Sequence, residues 1–395
     1  MATDTAVAPR PVRPPPWHDA HIRGIAYQIL FVAVVLAFVA FLVHNTLVNL
    51  RRQNIASGFG FLDREAAFGI GESLIAYSPA DTYARAFVVG LTNTLYVAAL
   101  GIVLATVLGT VMGIARLSSN WLIRKLAQVY VETFRNIPLL LQLFFWWGLL
   151  RETGPAPRQA WQPLPDFFVS NRGIAFPTLT PEPAYGWMVL ALGIGILAAV
   201  VVHRWARRRQ AQTGQQFPSG WIGTGLIFGL PLLVFLAAGA PLTLNRPALK
   251  GFNFVGGHEV SPEFAALLLG LVIYTGTFIA EIVRAGILAV SWGQSEAASA
   301  LGLKPGHRMR LIVLPQALRV IVPPMTSQYL NLTKNSSLAV AIGYPDLVSI
   351  ANTTMNQTGL AVEGIAMIMA VYLTISLSVS LLMNLYNRSV ALVER

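Results

Sequence analysis

Two ionisable side chains inside an apolar segment are the first candidates for chemistry. Glu281 and Arg284 lie three residues apart within the apolar stretch 264–290, so on a helix they share one face. Ionisable groups at membrane depth are costly and usually face a bundle interior or water. Two hypotheses stay open: an ion pair within the helix that fixes packing, or a pathway in which Glu281 attracts the ammonium group of a substrate. Glu132 and Arg135 are also three apart, and there we favour the structural pair.

A second polar cluster follows the next apolar stretch. It consists of Lys334, Asn335, Ser336 and Ser337. The prolines at 323 and 324 remove backbone donors, which predicts a kink or break in the helix before the cluster, and either serine would cap a new helix. Half-helix N-termini at membrane depth can hold anions. We therefore expect Lys334 and this helix start to receive a substrate carboxylate or to seal an outer gate. A loop packed on a partner subunit is the alternative.

Residue types give little support to an enzyme. The 395 residues include no cysteine, which excludes a thiolate nucleophile, a disulfide framework and any cysteine-ligated metal. The six histidines show no metal-ligand spacing apart from His18 and His21 near the N-terminus. A P-loop needs a Gly-Lys dipeptide, and the sequence has none. We predict no catalytic residue, no metal site and no ATP bound directly by this chain.

Composition indicates a membrane protein. Hydrophobic residues make up 55% and charged residues 11% of the chain, against about 25% charged residues in soluble domains. A helix crosses the hydrocarbon core with about 20 apolar residues and satisfies its own backbone polar groups there. Eight segments are long enough: 26–48, 88–115, 126–150, 185–203, 221–240, 264–290, 310–335 and 362–387. The sequence predicts an all-α polytopic protein with about eight transmembrane helices. In the second segment, Gly109 and Gly113 form a face that lets another helix approach closely.

The positions of Lys and Arg predict the orientation. Eight spans leave both termini on one side, and placing them inside gives the inner loops more Lys and Arg than the longer outer loops. That bias is typical of cytoplasmic loops. The net charge of +11 therefore reflects membrane topology, and we expect a lipid membrane and no nucleic acid as the environment of this chain.

The most informative stretch lies on the predicted inner side, after the sixth segment. Residues 294–306 read Gln-Ser-Glu-Ala-Ala-Ser-Ala-Leu-Gly-Leu-Lys-Pro-Gly. Residues 296–301 are good helix formers, and Ala297 and Ala298 let a partner surface come close. Gly302 can end the helix in a left-handed conformation, and Pro305 should prevent the helix from resuming. We expect a short, rigid helix whose Glu296 is available to a basic group of a soluble partner.

This stretch resembles the coupling loop of bacterial ABC-importer permeases. The match comprises Glu-Ala-Ala, three residues, Gly, nine residues, Ile, one residue and Leu-Pro. In that family the loop forms a coupling helix that docks into a cleft of the ATPase. The resemblance implies roles in ATPase coupling for Glu296, Ala297, Ala298, Leu301 and Gly302.

Three further stretches are similar to permeases for polar amino acids: 130–144, 276–287 and 315–338. The similarity covers about 88–150 and 262–390. It departs from the family at Ala285, where glycine is frequent, and at Asn335-Ser336, where Asp-Thr is frequent.

The resemblance implies the following organisation of the chain. It comprises a cytoplasmic Pro/Arg-rich tail (1–25), an N-terminal span with a periplasmic loop (26–87), the first part of a permease core (88–150), an insertion with two extra spans (151–261), and the second part of the core with the coupling helix (262–395). This layout resembles the larger permease subunits of general L-amino-acid uptake systems, including those for glutamate, glutamine, aspartate and asparagine.

The family implies a function and a set of partners. A type I ABC-importer permease core would translocate polar L-amino acids across the bacterial inner membrane by alternating access, with both termini cytoplasmic. Two ATP-binding subunits would hold ATP and Mg²⁺, and a periplasmic amino-acid-binding protein would deliver the substrate. A second permease, identical or related, would complete the pore, with a related heterodimer partner favoured. The alternative is a gradient-driven secondary transporter or channel in which Glu281 and Lys334 are the coupling groups.

Overall fold

The computed structural model describes residues 20–52, 58–240 and 242–390. Within these ranges the α-helices are α1 (Ala20–Arg52), α2 (Tyr83–Ala115), α3 (Trp121–Asn136), α4 (Leu139–Glu152), α5 (Pro183–Thr213), α6 (Ser219–Ala237), α7 (Pro262–Leu288), α8 (Trp292–Ala300), α9 (Pro305–Arg308), α10 (Leu314–Asn335), α11 (Leu347–Thr358) and α12 (Ala361–Val390). Most of the predicted N-terminal tail, residues 1–19, lies outside the described residues, and residues 20–25 already belong to α1.

Short elements fill the connections. The strands are β1 (Trp161–Leu164), β2 (Phe167–Ser170), β3 (Gly173–Phe176), β4 (Thr178–Leu179), β5 (Leu244–Asn245), β6 (Ala248–Lys250), β7 (Asn253–Val255) and β8 (His258–Val260). Segments of 3-10 helix occur at Phe59–Asp63, Pro157–Gln159 and Ser336–Ile342, and a π-helix occurs at Met309–Val313.

Six helices of the described ranges are long and apolar enough to cross a membrane, namely α1, α2, α5, α6, α7 and α12. They coincide with six of the eight predicted segments, so the prediction of a helical, polytopic membrane protein is confirmed. The two remaining segments, 126–150 and 310–335, fold differently from what their hydropathy predicts.

Segment 126–150 is divided by an Ile-Pro step. Helix α3 ends before Ile137, and α4 begins after Pro138; both residues have extended backbones, with ψ of 126° and 135°. The ring of a proline disfavours the helical conformation of the residue before it, which explains the break. Helix α4 has 14 residues and a length of about 21 Å, less than the hydrocarbon core of about 30 Å. The prediction of one continuous span is wrong here.

Segment 310–335 starts with the π-helix and continues as α10. Helix α10 runs through Pro323 and Pro324 without interruption, so the predicted break at the two prolines is wrong. Both prolines are exposed, whereas Ile321, Val322 and Met325 are buried against the bundle. Burial of this apolar face stabilises the helix enough to offset the backbone hydrogen bonds that the prolines cannot make.

The core of the bundle lies between α2, α4, α7 and α10. Its fully buried side chains include Val97, Ala105, Leu143, Leu267, Ile279 and Leu332. Helices α2 and α7 approach closely through Gly109 and Gly113, as the spacing of the two glycines predicts. A Cβ atom at Gly109 would lie 2.6 Å from the Cβ of Ile279, and one at Gly113 would lie 2.7 Å from the carbonyl oxygen of Ala280.

We expect Gly109→Leu to destabilise the bundle, because a side chain at this contact forces α2 away from α7. Overpacking of a close contact costs about 1–3 kcal/mol, which should lower the thermal unfolding midpoint of the purified protein. The control is Gly148→Leu in α4, where an added Cβ meets no atom within 4 Å. An equal effect of the two substitutions would contradict the assigned contact.

The segment between α4 and α7 forms a helical hairpin with a small β-rich domain. Helices α5 and α6 pack on each other, with Gly195 facing the backbone of Leu226. Antiparallel strands join in the order β1-β2-β3-β8, and β3 pairs with β8 in the register Ile174↔Val260. Strands on either side of the hairpin therefore close its end next to α7. The sequence did not predict these strands.

Candidate functional site

The predicted coupling segment folds as a short helix that ends at a glycine. Helix α8 begins at Trp292, two residues before the predicted coupling segment 294–306, and Gly302 has a φ of +75°. The amide of Gly302 donates to the Ser299 oxygen (2.9 Å), and the amide of Leu303 donates to the Ala298 oxygen (3.1 Å). These two bonds make up a Schellman motif, so Gly302 stops the helix as predicted.

Helix α9 follows α8 after a short turn and is hydrogen-bonded to it. The expectation that Pro305 prevents a helix from resuming is wrong, because Pro305 is the first residue of α9. Proline fits this position since its fixed φ suits a helix and its missing donor is not needed there. The guanidinium of Arg308 donates to the hydroxyl of Ser299 at 2.8 Å. Residues 292–308 thus form one unit, the α8–α9 element.

The α8–α9 element exposes large apolar side chains. Leu301 is 81% exposed and Trp292 is 77% exposed. Ala298 is buried, whereas Ala297 and Glu296 are exposed. A carboxylate oxygen of Glu296 accepts a hydrogen bond from the Trp292 indole at 2.8 Å, which fixes the orientation of both side chains. Large apolar side chains left exposed at both ends of a short helix suit contact with a partner.

Glu281 lies in a cluster of three arginines from different elements. Its carboxylate accepts a hydrogen bond from Arg284 at 2.9 Å, is bonded by Arg116 just after α2, and lies 3.8 Å from Arg135 of α3. This arginine cluster favours the structural ion pair over the hypothesis that Glu281 attracts a substrate ammonium group. Glu132 accepts instead from Gln128 at 2.7 Å, and Arg135 approaches Glu281, so the favoured Glu132–Arg135 pair is wrong.

The sequence does not show that Arg116 and Arg135 are partners of Glu281. In the sequence, Arg116 is recognisable only as a basic residue at the inner end of a helix. The preference for basic residues in inner loops is enough to explain it, so it did not indicate an ion pair. The arginine cluster connects the end of α2 and the end of α3 to α7, seven residues before α7 ends at Leu288. It therefore links three elements close to the start of the α8–α9 element.

A polar cavity lies between α7 and α10. Its volume is about 310 Å³, and its walls are formed by Tyr274, Thr275, Phe278, Gln328, Asn331 and Asn335. We refer to it as the amide cavity. Of the predicted pathway residues, Asn335 lines this cavity, and Lys334 does not. The spacing of Gln328, Asn331 and Asn335 puts their amides on one helix face, a signal that was readable in the sequence.

Ser336 and Ser337 follow the end of α10 and open the 3-10 helix Ser336–Ile342, but neither side chain caps it. Ser336 is the C-cap of α10, and its hydroxyl donates to the Thr333 oxygen at 2.7 Å. The Ser337 hydroxyl donates to the Lys334 oxygen, also at 2.7 Å. The prediction of an N-terminal cap is wrong, because the helix continued through the prolines. A helix C-terminus carries partial negative charge, so it stabilises Lys334 and does not attract a carboxylate.

Comparison with known proteins agrees with this geometry. The family described as binding-protein-dependent transport system inner membrane component matches residues 191–392, a range that includes the α8–α9 element and the amide cavity. The chain belongs to this family. The resemblance to importer permeases is thereby confirmed, and the alternative of a self-contained secondary transporter or channel is wrong. This family is a component of transport systems.

Relatives of this transport-system component align over almost the whole chain. The general L-amino acid transport system permease protein AapQ of Rhizobium johnstonii is 52% identical over 382 residues, 96% of this chain and 94% of the relative. The putative amino-acid ABC transporter permease protein YhdX of Escherichia coli K12 is 53% identical over 375 residues, 95% of each chain. The glutamate/glutamine/aspartate/asparagine transport system permease protein BztB of Rhodobacter capsulatus is 44% identical over 414 residues, 96% of each chain. These alignments therefore include the α5–α6 hairpin and the strands beside it.

Proposed function

We propose that this chain is the transmembrane permease subunit of an ATP-driven importer for polar L-amino acids. Relatives that match nearly its whole length carry names that specify general L-amino acids or glutamate, glutamine, aspartate and asparagine. Family membership supports dependence on a binding protein. The protein would span the bacterial inner membrane with a type I permease core and cytoplasmic termini, as the Lys and Arg distribution predicts.

The observation that carries the ATP-driven part of the proposal is the α8–α9 element. It presents two exposed apolar side chains, Trp292 and Leu301, on a helix whose end is fixed by Gly302. A rigid apolar projection of this kind suits a cleft in a soluble partner. We assign that partner as an ATP-binding subunit, present in two copies, which supplies ATP and Mg²⁺. Glu296 and Ala297 lie on the same exposed part of α8 and would contact it.

Movement of the α8–α9 element would pass directly into the bundle. Trp292 follows the end of α7 by four residues, so displacement of α8 pulls on α7. The arginine cluster then carries the displacement to α2 and α3 through Glu281. Closure of the ATP-binding subunits would convert the permease pair between inward-facing and outward-facing states. A second permease, related to this chain, would form the other half of the pore.

The amide cavity is the part of this chain that we assign to the substrate path. Asn and Gln side chains both donate and accept hydrogen bonds, so they can hold a carboxylate, an ammonium group or a neutral amide. Gln328, Asn331 and Asn335 supply three such groups, and Tyr274 adds a phenolic hydroxyl. This chemistry suits several polar amino acids without a preference for one charge. We assign Asn335 to this path in place of Lys334, Ser336 and Ser337.

Copurification tests the proposed coupling. We expect Leu301→Asp to abolish copurification of the ATP-binding subunit and ATP-driven uptake of labelled L-glutamate and L-glutamine. Leu301 is 81% exposed, so the substitution leaves the fold intact and places a charge in the proposed apolar contact. Unchanged copurification and uptake would overturn the proposal.

The control for this experiment is Leu249→Asp in β6. Leu249 is also an exposed leucine, at 44%, but it lies in the β-rich domain at the other end of α7. We expect this variant to retain the ATP-binding subunit and to take up both amino acids at the unsubstituted rate.

A further inference from the structure

A large charged cavity lies where the inserted β-rich domain meets the core. Its volume is about 630 Å³, within the range of about 300–1,000 Å³ that is typical of small-molecule sites. Helices α4 and α7 contribute Arg151 and Glu263, the segment before α2 contributes Glu72, and the β-rich domain contributes Arg172, Asn253 and Glu259. We refer to it as the interdomain cavity. Two of the five charged residues that line it, Arg172 and Glu259, come from the β-rich domain.

One ion pair in the interdomain cavity is complete. Arg151 lies 2.8 Å from the carboxylate of Glu263, and the same oxygen accepts a hydrogen bond from the Trp147 indole at 3.1 Å. Glu263 stands in the first turn of α7, where a carboxylate is stabilised by the helix dipole. This pair is structural and leaves no free charge for a ligand.

The other charged groups of the cavity have no oppositely charged partner within 4 Å among the described residues. Glu72 accepts a hydrogen bond from the Ser261 hydroxyl, and Arg172 donates to the side-chain oxygen of Asn253. Burial raises the pKa of Glu72. The hydrogen bond from Ser261 opposes this increase, and the neighbouring carboxylates of Glu263 and Glu259 add to it. Partial burial also raises the pKa of Glu259, against the opposing charge of Arg172. An arriving cation would relieve this destabilisation of the two carboxylates.

The segment that carries Glu72 is held in place. The Asn93 amide of α2 donates to the backbone oxygen of Glu72 and to that of Pro345, both at 2.9 Å. Glu72 and Ser261 also line a second cavity of about 360 Å³, which extends along α11 past Ser349. Their hydrogen bond therefore belongs to the wall that the two cavities share. Glu72 is a fixed group in the wall between them.

We propose that the interdomain cavity binds the backbone groups of a zwitterionic amino acid, with Glu72 and Glu259 receiving the ammonium group and Arg172 the carboxylate. Arginine binds carboxylates in a bidentate geometry, and two carboxylates without a cationic partner suit an ammonium group. A metal ion is disfavoured, because no three His, Asp or Glu side chains of the described ranges are close enough to hold one. The cavity deepens the proposed function: it gives the insertion the role of a waiting site before the amide cavity.

The absence of cysteine from the chain allows a direct test by thiol labelling. Gly71 lines the interdomain cavity, and a Cβ atom there meets no atom within 4 Å. We expect L-glutamate or L-glutamine to slow the reaction of a hydrophilic maleimide with Gly71→Cys in the full chain in nanodiscs. Gly60→Cys is the matched control. Gly60 lies against a different cavity and has equal room for a side chain, so the amino acids should not protect it.

Second substitutions identify the binding groups. Adding Glu259→Gln or Arg172→Gln to Gly71→Cys should raise the amino-acid concentration for half-protection about tenfold, the loss expected for one charge-assisted hydrogen bond. Adding Glu152→Gln, an exposed residue at the end of α4, should leave that concentration unchanged. Glutarate, which lacks the ammonium group, and Mg²⁺ should not protect.

The inference is overturned if amino acids fail to protect Gly71→Cys, if protection survives both substitutions in the cavity, or if glutarate or Mg²⁺ protects equally. This assay contains no ATP-binding subunit and no binding protein, so its outcome is independent of the proposed function. Normal ATP-driven uptake without protection removes the waiting site alone. Protection without ATP-driven uptake removes the proposed function and leaves an amino-acid site in the cavity.

Discussion

Glu281→Gln is expected to lower both the stability and the transport activity of this permease sharply. The substitution keeps the size of the side chain but removes the only carboxylate within 4 Å of Arg116, Arg135 and Arg284 among the described residues. Removing one partner of this partly buried ion pair costs about 1–3 kcal/mol, because the other charge remains partly desolvated. Arg116 is the most enclosed of the three, with 14% of its side chain exposed. The thermal unfolding midpoint and ATP-driven amino-acid uptake measure the two effects.

A series of substitutions distinguishes the effect of disrupting the arginine cluster from the effect of removing a charge anywhere in the protein. Glu132→Gln is the matched control, because Glu132 is exposed and accepts from the neutral Gln128. Arg135→Gln should cost less than about 1 kcal/mol, since Arg135 is 46% exposed and lies at 3.8 Å. Combining Arg116→Gln with Glu281→Gln should restore part of the lost stability by removing the unpaired guanidinium. A midpoint for Glu281→Gln equal to that of Glu132→Gln would contradict the assigned cluster.

The sequence predicted the long helices well, because an uninterrupted apolar stretch of membrane length has few alternatives in lipid. Helices α2, α7 and α12 are examples. Hydropathy averages over about 20 residues, however, so it did not detect the Ile-Pro step that separates α3 from α4. The strands were missed for a different reason. Each has two to four residues, and β3 finds its partner β8 only after the α5–α6 hairpin has returned the chain to the same end.

The candidate site was predictable where its structure is local. The end of α8 is determined by one glycine and the residues next to it, so it can be predicted from a few consecutive residues of the sequence. The partners of Glu281 come from α3 and from the residue after α2, so only the packing of the bundle shows them. The rule that prolines break helices failed at Pro323 and Pro324, because burial of the opposite face of α10 outweighs the lost hydrogen bonds. The amides at 328, 331 and 335 were visible as a stripe, but their facing residue Tyr274 was not.

The second large effect is expected at Gly302. There the backbone conformation limits which residues are tolerated, whereas the space for a side chain does not. Its φ of +75° costs an ordinary L-residue about 1–2 kcal/mol, and a β-branched residue more. Gly302→Val should therefore open the Schellman motif, so that the amides of Gly302 and Leu303 lose their partners on α8. This cost lowers the equilibrium constant for the turn about tenfold. We expect at least a comparable loss of ATP-driven uptake, and loss of substrate-stimulated ATP hydrolysis by the assembled transporter.

Two other substitutions show whether the turn conformation is the cause. Gly306→Val is the matched control, because an added Cβ at either glycine meets no atom within 4 Å, while only Gly302 has a positive φ. Uptake should persist in that variant. Gly302→Asn should retain most of the uptake, since asparagine tolerates the left-handed conformation better than other residues with a side chain. Equal losses for valine at 302 and 306 would show that bulk near the partner surface matters and that the fixed helix end does not. A graded response, with asparagine active and valine inactive, ties transport to the backbone geometry that orients Leu301 and Trp292 toward the ATP-binding subunit.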